Sequence, residues 1–235
     1  MAFFLKGSTV NSNFGKILQN IPGEMAGRIA AKDWAQTSLG PIENWPQSLK
    51  STVSLVLGTP FPTILYWGPK LESIYNDAYT PLLGAKHETL GKPIEKIWSE
   101  AWDVIRTDVE KVLSGQALFY ENAPFTLMRH GHPEQTWFDY AYSPLRDESG
   151  GISGFLNTAV ERTSRIQAEK ALIDSKEHLT REQAFLQTLL DNAKVCVAVL
   201  QGHELRFTMV NRAYQELRPD VSSPVESTER FPPML

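Results

Sequence analysis

The stretch PFPTILYWGPKLESIYNDAYTPLLGAKHETLG, residues 60–91, decides how the rest of this chain is read. Thr63 to Trp67 is a β-branched and aromatic run, Gly68-Pro69 breaks it, and Leu71 to Tyr75 resumes with apolar residues alternating with polar ones. The spacing predicts a hairpin. Asn76 follows where a helix N-cap belongs, because its side-chain oxygen can accept from the orphan amides of the next turn, and Asp77 places negative charge in that turn. Pro81 keeps this helix short.

Downstream, Ile105, Val109, Val112 and Leu113 form an i, i+4, i+7, i+8 stripe closed by Gly115, which predicts a helix laid across a sheet. Three strands are expected after it. Ala117 to Met128 and Gln135 to Leu145 are aromatic-rich runs split by His130-Gly131-His132-Pro133, and Gly150-Gly151 precedes Ile152 to Val160. The middle run alternates Phe138, Tyr140 and Tyr142 against Trp137, Asp139 and Ala141, a strand with an inside and an outside.

Upstream of residue 60, little is legible before about Gly23, where a loose arm or a short helix around Lys16 to Asn20 are both open. A helical stretch is expected between Glu24 and Trp34. A second helix begins near Pro46, carries Leu49, Val53, Val56 and Leu57 at helical spacing, and closes at Gly58.

The ordered series of short motifs carries a resemblance that no tripeptide alone would. Asp33-Trp34, Leu39-Gly40-Pro41, Trp45-Pro46-Gln47-Ser48-Leu49, Trp67-Gly68-Pro69, Tyr75-Asn76-Asp77-Ala78-Tyr79, Leu90-Gly91-Lys92-Pro93 and Tyr142-Ser143-Pro144 follow one another from about Gly23 to about Arg162. In this span the chain resembles the N-terminal PAS module of bacterial sensor histidine kinases, with Asn76, Asp77 and Gly91 as structural motif residues. The resemblance implies an α+β fold: a five-stranded antiparallel sheet with flanking helices, an N-terminal helical extension and a long C-terminal linker helix. The expected organisation is an arm over 1–23, the helical extension over 24–58, the PAS domain over 59–163, the linker helix over 164–191, and the start of a second, incomplete PAS domain over 192–235.

The last two assignments rest on residues. Ser164 with Gln167 reads as a capping box, and no Gly or Pro follows until Gly202. Leu172, Leu179 and Leu186 recur every seven residues, with Ala168 and Leu189 on the alternate seam and Ser175 and Glu182 interrupting it. Glu161–Arg165 and Glu177–Arg181 are expected as i, i+4 ion pairs, each worth about 0.3 kcal/mol. A lone leucine stripe needs a cover, and a second copy of the helix supplies one, so a parallel homodimer is expected; the alternative is that the helix packs back on its own sheet. From Asn192 the opening pattern returns, with Val195 to Leu200, the Gly202-His203 turn, Glu204 to Val210, then Asn211-Arg212-Ala213-Tyr214. This echo of residues 76–79 is an internal repeat that stops before its later strands, so residues after about Asn192 are expected to be marginally ordered and the chain to be a fragment of a longer protein.

Composition excludes several classes. A net charge of −4 with interspersed signs is not a surface built to neutralise phosphates, so nucleic acid is not expected as a partner. Cys196 is the only cysteine, which rules out an intrachain disulfide or a cysteine metal cluster and fits a cytoplasmic location. No run approaches the roughly 20 apolar residues that span a bilayer, and Phe3-Phe4-Leu5 is too short for a signal-peptide core.

Nothing in the sequence resembles an ATP-binding kinase domain, so no catalytic module is expected within these residues. His178 lies in Lys176-Glu177-His178-Leu179-Thr180-Arg181, which lacks the acid and proline of a phosphoacceptor motif and reads as a solvated helix face. His130 and His132 flank a turn and lack further ligands, so no metal site is assigned, and His87 reads as a surface-loop residue. Residues 60–160 hold no cysteine, which excludes a cysteinyl-flavin adduct in the first PAS domain, and Ser99 to Ser114 hold no histidine, which argues against haem. Flavin without an adduct stays open. Trp67, Tyr79, Phe119, Trp137, Phe138 and Tyr140 are the candidates to line a ligand pocket between sheet and helices, with ordinary core packing as the alternative for each.

The function implied is the sensory and signal-relay region of a cytoplasmic two-component histidine kinase. It would detect a small ligand or partner and pass the change through a dimeric linker helix to downstream kinase domains. The alternatives are a constitutive PAS dimerisation module and the regulatory region of another signalling enzyme, such as a diguanylate cyclase or a phosphatase.

Overall fold

The computed structural model describes residues 14–86, 88–203 and 206–219. His87, Glu204 and the Pro- and Ser-containing tail fall outside them. The chain divides into two compact units, Met1–Ile166 and Gln167–Leu235.

The first unit opens with helices α1 (Phe14–Gln19), α2 (Glu24–Ala31) and α3 (Gln47–Gly58). The hairpin is β1 (Thr63–Trp67) with β2 (Glu72–Tyr75), and short helices α4 (Thr80–Leu83) and α5 (Ile94–Ile97) lead to α6 (Trp102–Leu113). Then come β3 (Leu118–Leu127), β4 (Glu134–Arg146) and β5 (Ile152–Glu161). All five strands form one antiparallel sheet in the order β2-β1-β5-β4-β3. This is the α+β PAS fold. Among the described residues no helix is long and apolar enough to cross a membrane.

The order follows from where each strand finds a partner. β5 fills the slot between β1 and β4, so the last strand pairs with the first, Leu65 opposite Leu156 and Tyr66 opposite Phe155. Tyr66, Phe155 and Tyr142 then stack in a row across three strands, with ring centroids 5.1 and 4.9 Å apart. Such cross-strand ring pairs contribute about 0.5–1.5 kcal/mol each beyond burial.

Polar and apolar residues alternate in Leu71–Tyr75, yet every residue of β1 and β2 is buried. The reason is α3, which packs on both strands with Leu49, Val53 and Val56. The polar positions of β2 are paired instead of exposed. Ser73 Oγ donates to the Thr89 carbonyl at 2.6 Å, and Glu72 accepts from the Ser38 amide at 2.9 Å and the Ser38 hydroxyl at 2.7 Å.

Carboxylates of the sheet domain also cap the extension. Asp77 Oδ1 accepts from the Glu24 and Met25 amides at 2.9 and 3.1 Å, so its charge serves the N-terminus of α2 in addition to its own turn. Glu148, between β4 and β5, does the same for α3 through the Ser48 amide and hydroxyl at 2.8 and 3.0 Å. Orphan amides and the positive helix end both favour an acid at these places. Gly91 sits at φ 74°, and a Cβ there would lie 2.4 Å from the Lys32 side chain and 3.2 Å from Trp34. Only glycine lets the extension approach this closely.

Asn76 is the hinge of the hairpin. Its Oδ1 accepts from the Thr63 and Tyr79 amides, both at 3.1 Å, and its Nδ2 donates to the Thr59 and Phe61 carbonyls at 3.0 and 2.8 Å. The expected cap is therefore one bond of a four-bond clamp.

The long helix α7 runs Thr163–Asp191, and Ser164 lies inside it instead of capping it. The first helical bond, from the Ile166 amide to the Arg162 carbonyl, starts the helix one residue early. Glu161 belongs to β5, so the expected pair with Arg165 is replaced by one with Arg129, whereas Glu177–Arg181 forms at 2.8 Å. Leu172, Leu179, Leu186 and Leu189 are exposed.

In the second unit, β6 (Ala198–Gln201) and β7 (Arg206–Val210) pair antiparallel and α8 (Arg212–Leu217) follows. Asn211 repeats the clamp bond for bond. Its Oδ1 accepts from the Val197 and Tyr214 amides at 2.8 and 3.1 Å, and its Nδ2 donates to the Leu190 and Val195 carbonyls at 2.9 and 2.8 Å. Cys196 is exposed.

Candidate functional site

Between the sheet and α4–α6 lies a cavity of about 60 Å³. Its walls are Leu82, Trp98, Ile105, Leu127, Ala159 and a set of rings, Tyr79, Phe125, Phe138, Tyr140 and Tyr142, with Asn157 as the amide. Among the described residues no charged side chain lines it. Burial pushes the phenols of Tyr66 and Tyr142 well above the ordinary tyrosine range, and raises Tyr79 and Tyr140 for the same reason. The wall is therefore neutral at physiological pH. Trp98 Nε1 donates to Tyr66 Oη at 2.8 Å, which fixes the indole against the sheet.

Of the six ring residues proposed from sequence, Tyr79, Phe138 and Tyr140 meet at the cavity. Trp67, Phe119 and Trp137 do not. Trp67 follows Tyr66, so it points to the opposite face of β1, where it lines a groove with Leu39 and Leu49. Trp137 has the wrong parity beside Phe138 and instead bonds through its backbone to Arg162 and Thr163. Phe119 is 64% exposed because β3 carries a one-residue bulge between Tyr120 and Ala123. Past the bulge Phe125 and Leu127 face inward; before it, the inward partners are Leu118 and Tyr120, so alternation counted back from Phe125 reaches Phe119 on the wrong side. Tyr142 shared the parity of Phe138 and Tyr140 and could have been added from the alternation alone. Trp98, Leu82 and Asn157 carried no sequence signal that set them apart from core.

Two residues beyond Ala159, β5 ends at Glu161, where a second cluster gathers. Arg129 is 7% exposed, and its guanidinium holds Glu161 with two bonds of 2.7 and 3.1 Å while reaching Glu134 at 3.0 Å. The same guanidinium lies 6.0 Å from the ring centre of Phe138, a cavity wall. Burial pushes the Glu161 carboxyl up, but the bonds from Arg129 and Thr163 outweigh it and hold its pKa below the ordinary glutamate range. Thr163 Oγ1 donates to Glu161 at 2.7 Å and accepts from the Trp137 amide at 3.1 Å. On the other face, Arg162 Nε donates to Asp139 at 2.6 Å, and Asp139 also accepts from the amide of the bulged Asn122. The strand end and the first helical turn are thus fastened to both faces of the sheet.

His130 and His132 are exposed at the turn between β3 and β4, 3.8 and 3.9 Å from Glu134 Oε1. Among the described residues no group of three or more His, Cys, Asp or Glu side chains is arranged to hold a metal ion. His178 lies exposed on α7.

No family model matches the chain, and no curated protein matches it. Solved structures do. The PAS domain of BvgS from Bordetella pertussis is 22% identical, with a TM-score of 0.41 over 55% of this chain and 97% of that one. A PAS domain from Colwellia psychrerythraea is 16% identical, with a TM-score of 0.38 over 49% and 98%. A sensory box sensor histidine kinase from Vibrio cholerae is 14% identical, with a TM-score of 0.34 over 49% and 89%.

Proposed function

We propose that this chain is the sensory and signal-relay region of a two-component sensor histidine kinase, detecting a small ligand in the PAS cavity and passing the change into a dimeric linker helix. The observation that supports the reading most directly is Arg129, which lies over Phe138 in the cavity wall and grips Glu161 at the end of β5. An occupant that moves Phe138 or Ala159 shifts that grip, and Thr163, bonded to Glu161, is the first residue of α7. In a parallel pair packed through Leu172, Leu179 and Leu186, a small displacement at Thr163 rotates or slides the two helices and biases the downstream kinase.

The test is disulfide cross-linking in a Cys196→Ser background with Leu172→Cys, Leu179→Cys or Leu186→Cys, each with and without Arg129→Gln. Seam positions should cross-link between copies, and releasing Arg129 should change their relative yields. A monomer at tens of micromolar, or an unchanged pattern, would sink the relay. The modest cavity favours a second reading, a constitutive dimerisation module. Its signature is a dimer whose cross-linking ignores the junction and whose native mass spectrum carries no added small molecule.

A further inference from the structure

The cavity wall includes a buried carboxamide that the fold itself does not satisfy. Asn157 sits on β5 facing inward and is 8% exposed, and its Oδ1 is sealed from solvent with no hydrogen-bond partner. Its Nδ2 enters no hydrogen bond among the described residues either. This contrasts with the neighbouring polar groups. Tyr66 accepts from Trp98, Tyr140 faces Asp108 at 3.5 Å, and Asn76 fills all of its bonding capacity. An amide left bare in a buried site is destabilising, so a fold that keeps one there gains from a partner that arrives later.

We propose that the cavity recognises a small neutral amide, which pairs its own N–H and C=O with the carboxamide of Asn157. The inference rests on the sensory reading above and names its ligand class. A carboxamide presents a donor and an acceptor side by side, and the best complement is the same pair reversed, so either assignment of Oδ1 and Nδ2 selects the same partner. The rest of the wall, Leu82, Ile105, Leu127 and Ala159 with the rings, is mostly apolar and carries no charge, which rejects ions. Size sets the upper limit. At about 10–15 Å³ per water, a cavity of about 60 Å³ takes on the order of four non-hydrogen atoms, and about 150 Å³ is the size known to accept benzene.

Acetamide, acetone and acetate have nearly the same shape and separate these requirements: acetone lacks the donor, and acetate carries charge. With so few atoms the affinity should be on the order of millimolar. The full ¹⁵N-labelled chain is titrated with each while the side-chain amide of Asn157 and the backbone amides of Leu127 and Ala159 are followed. Acetamide should give saturable shifts at all three, with acetone and acetate at least tenfold weaker, and Asn157→Leu should abolish the saturable shifts at Leu127 and Ala159. Equal binding of acetone and acetamide would overturn the proposal, and so would the absence of shifts with acetamide, because the wild-type titration stands whether or not the variant folds. Saturable binding with cross-linking at Leu179→Cys unchanged would leave this inference standing and remove the relay; junction-dependent cross-linking without binding would do the reverse.

Discussion

Replacing Asn76 by alanine removes four side-chain hydrogen bonds. The Thr63 amide is left as a buried donor at a cost of about 1–3 kcal/mol, the Tyr79 amide keeps its 3.1 Å bond to the residue 76 carbonyl, and the Thr59 and Phe61 carbonyls are partly buried and recover much of their loss from water. Allowing for relaxation, the expected destabilisation is about 3 kcal/mol, a large share of the roughly 5–15 kcal/mol typical of a domain. With a urea m-value of roughly 2 kcal/mol/M, the midpoint should fall by about 1.5 M. All six tryptophans, at 34, 45, 67, 98, 102 and 137, lie in the first unit, so intrinsic fluorescence follows its unfolding. Asn211→Ala deletes the equivalent clamp from the second unit and serves as the control, expected to leave the tryptophan transition in place. A midpoint shift below about 0.3 M for Asn76→Ala would refute the reasoning, because four well-formed bonds would then be worth almost nothing.

Two further outcomes follow from the carboxylates. Asp77→Ala should cost about 1 kcal/mol, the usual worth of an N-cap, and should speed hydrogen exchange at the Glu24 and Met25 amides while leaving β4 and β5 protected. Stability should fall on acidification below about pH 4.5, the ordinary glutamate range, because Glu161 and Glu100 have folded pKa values lowered from normal, so their contribution is complete above the unfolded pKa and is lost as pH drops through the folded one. Urea midpoints from pH 7 to pH 3 should decline less steeply for Glu161→Gln than for the parent, and parallel curves would contradict the assignment.

The sequence by itself carried the elements and their order. Gly and Pro punctuation, the aromatic alternation of β4 and the α6 stripe act within a few residues, where backbone sterics and side-chain period decide the outcome, and they place five strands and the long helix close to where the structure has them. The Asn76 cap was legible for the same reason, and its repeat at Asn211 followed. What only the tertiary structure decided is which ring faces which side and which acid meets which amide. The bulge at Asn122 turns Phe119 outward, α3 buries the face of β1 that holds Trp67, and Asp77, Glu148 and Arg129 find partners in Met25, Ser48 and Glu161, 32 to 100 residues away. Asn157 is set apart from an ordinary strand asparagine only by the lack of a partner around it. Such contacts depend on the register of strands that are distant in sequence, and a one-residue slip reverses a whole face, so local pattern cannot specify them.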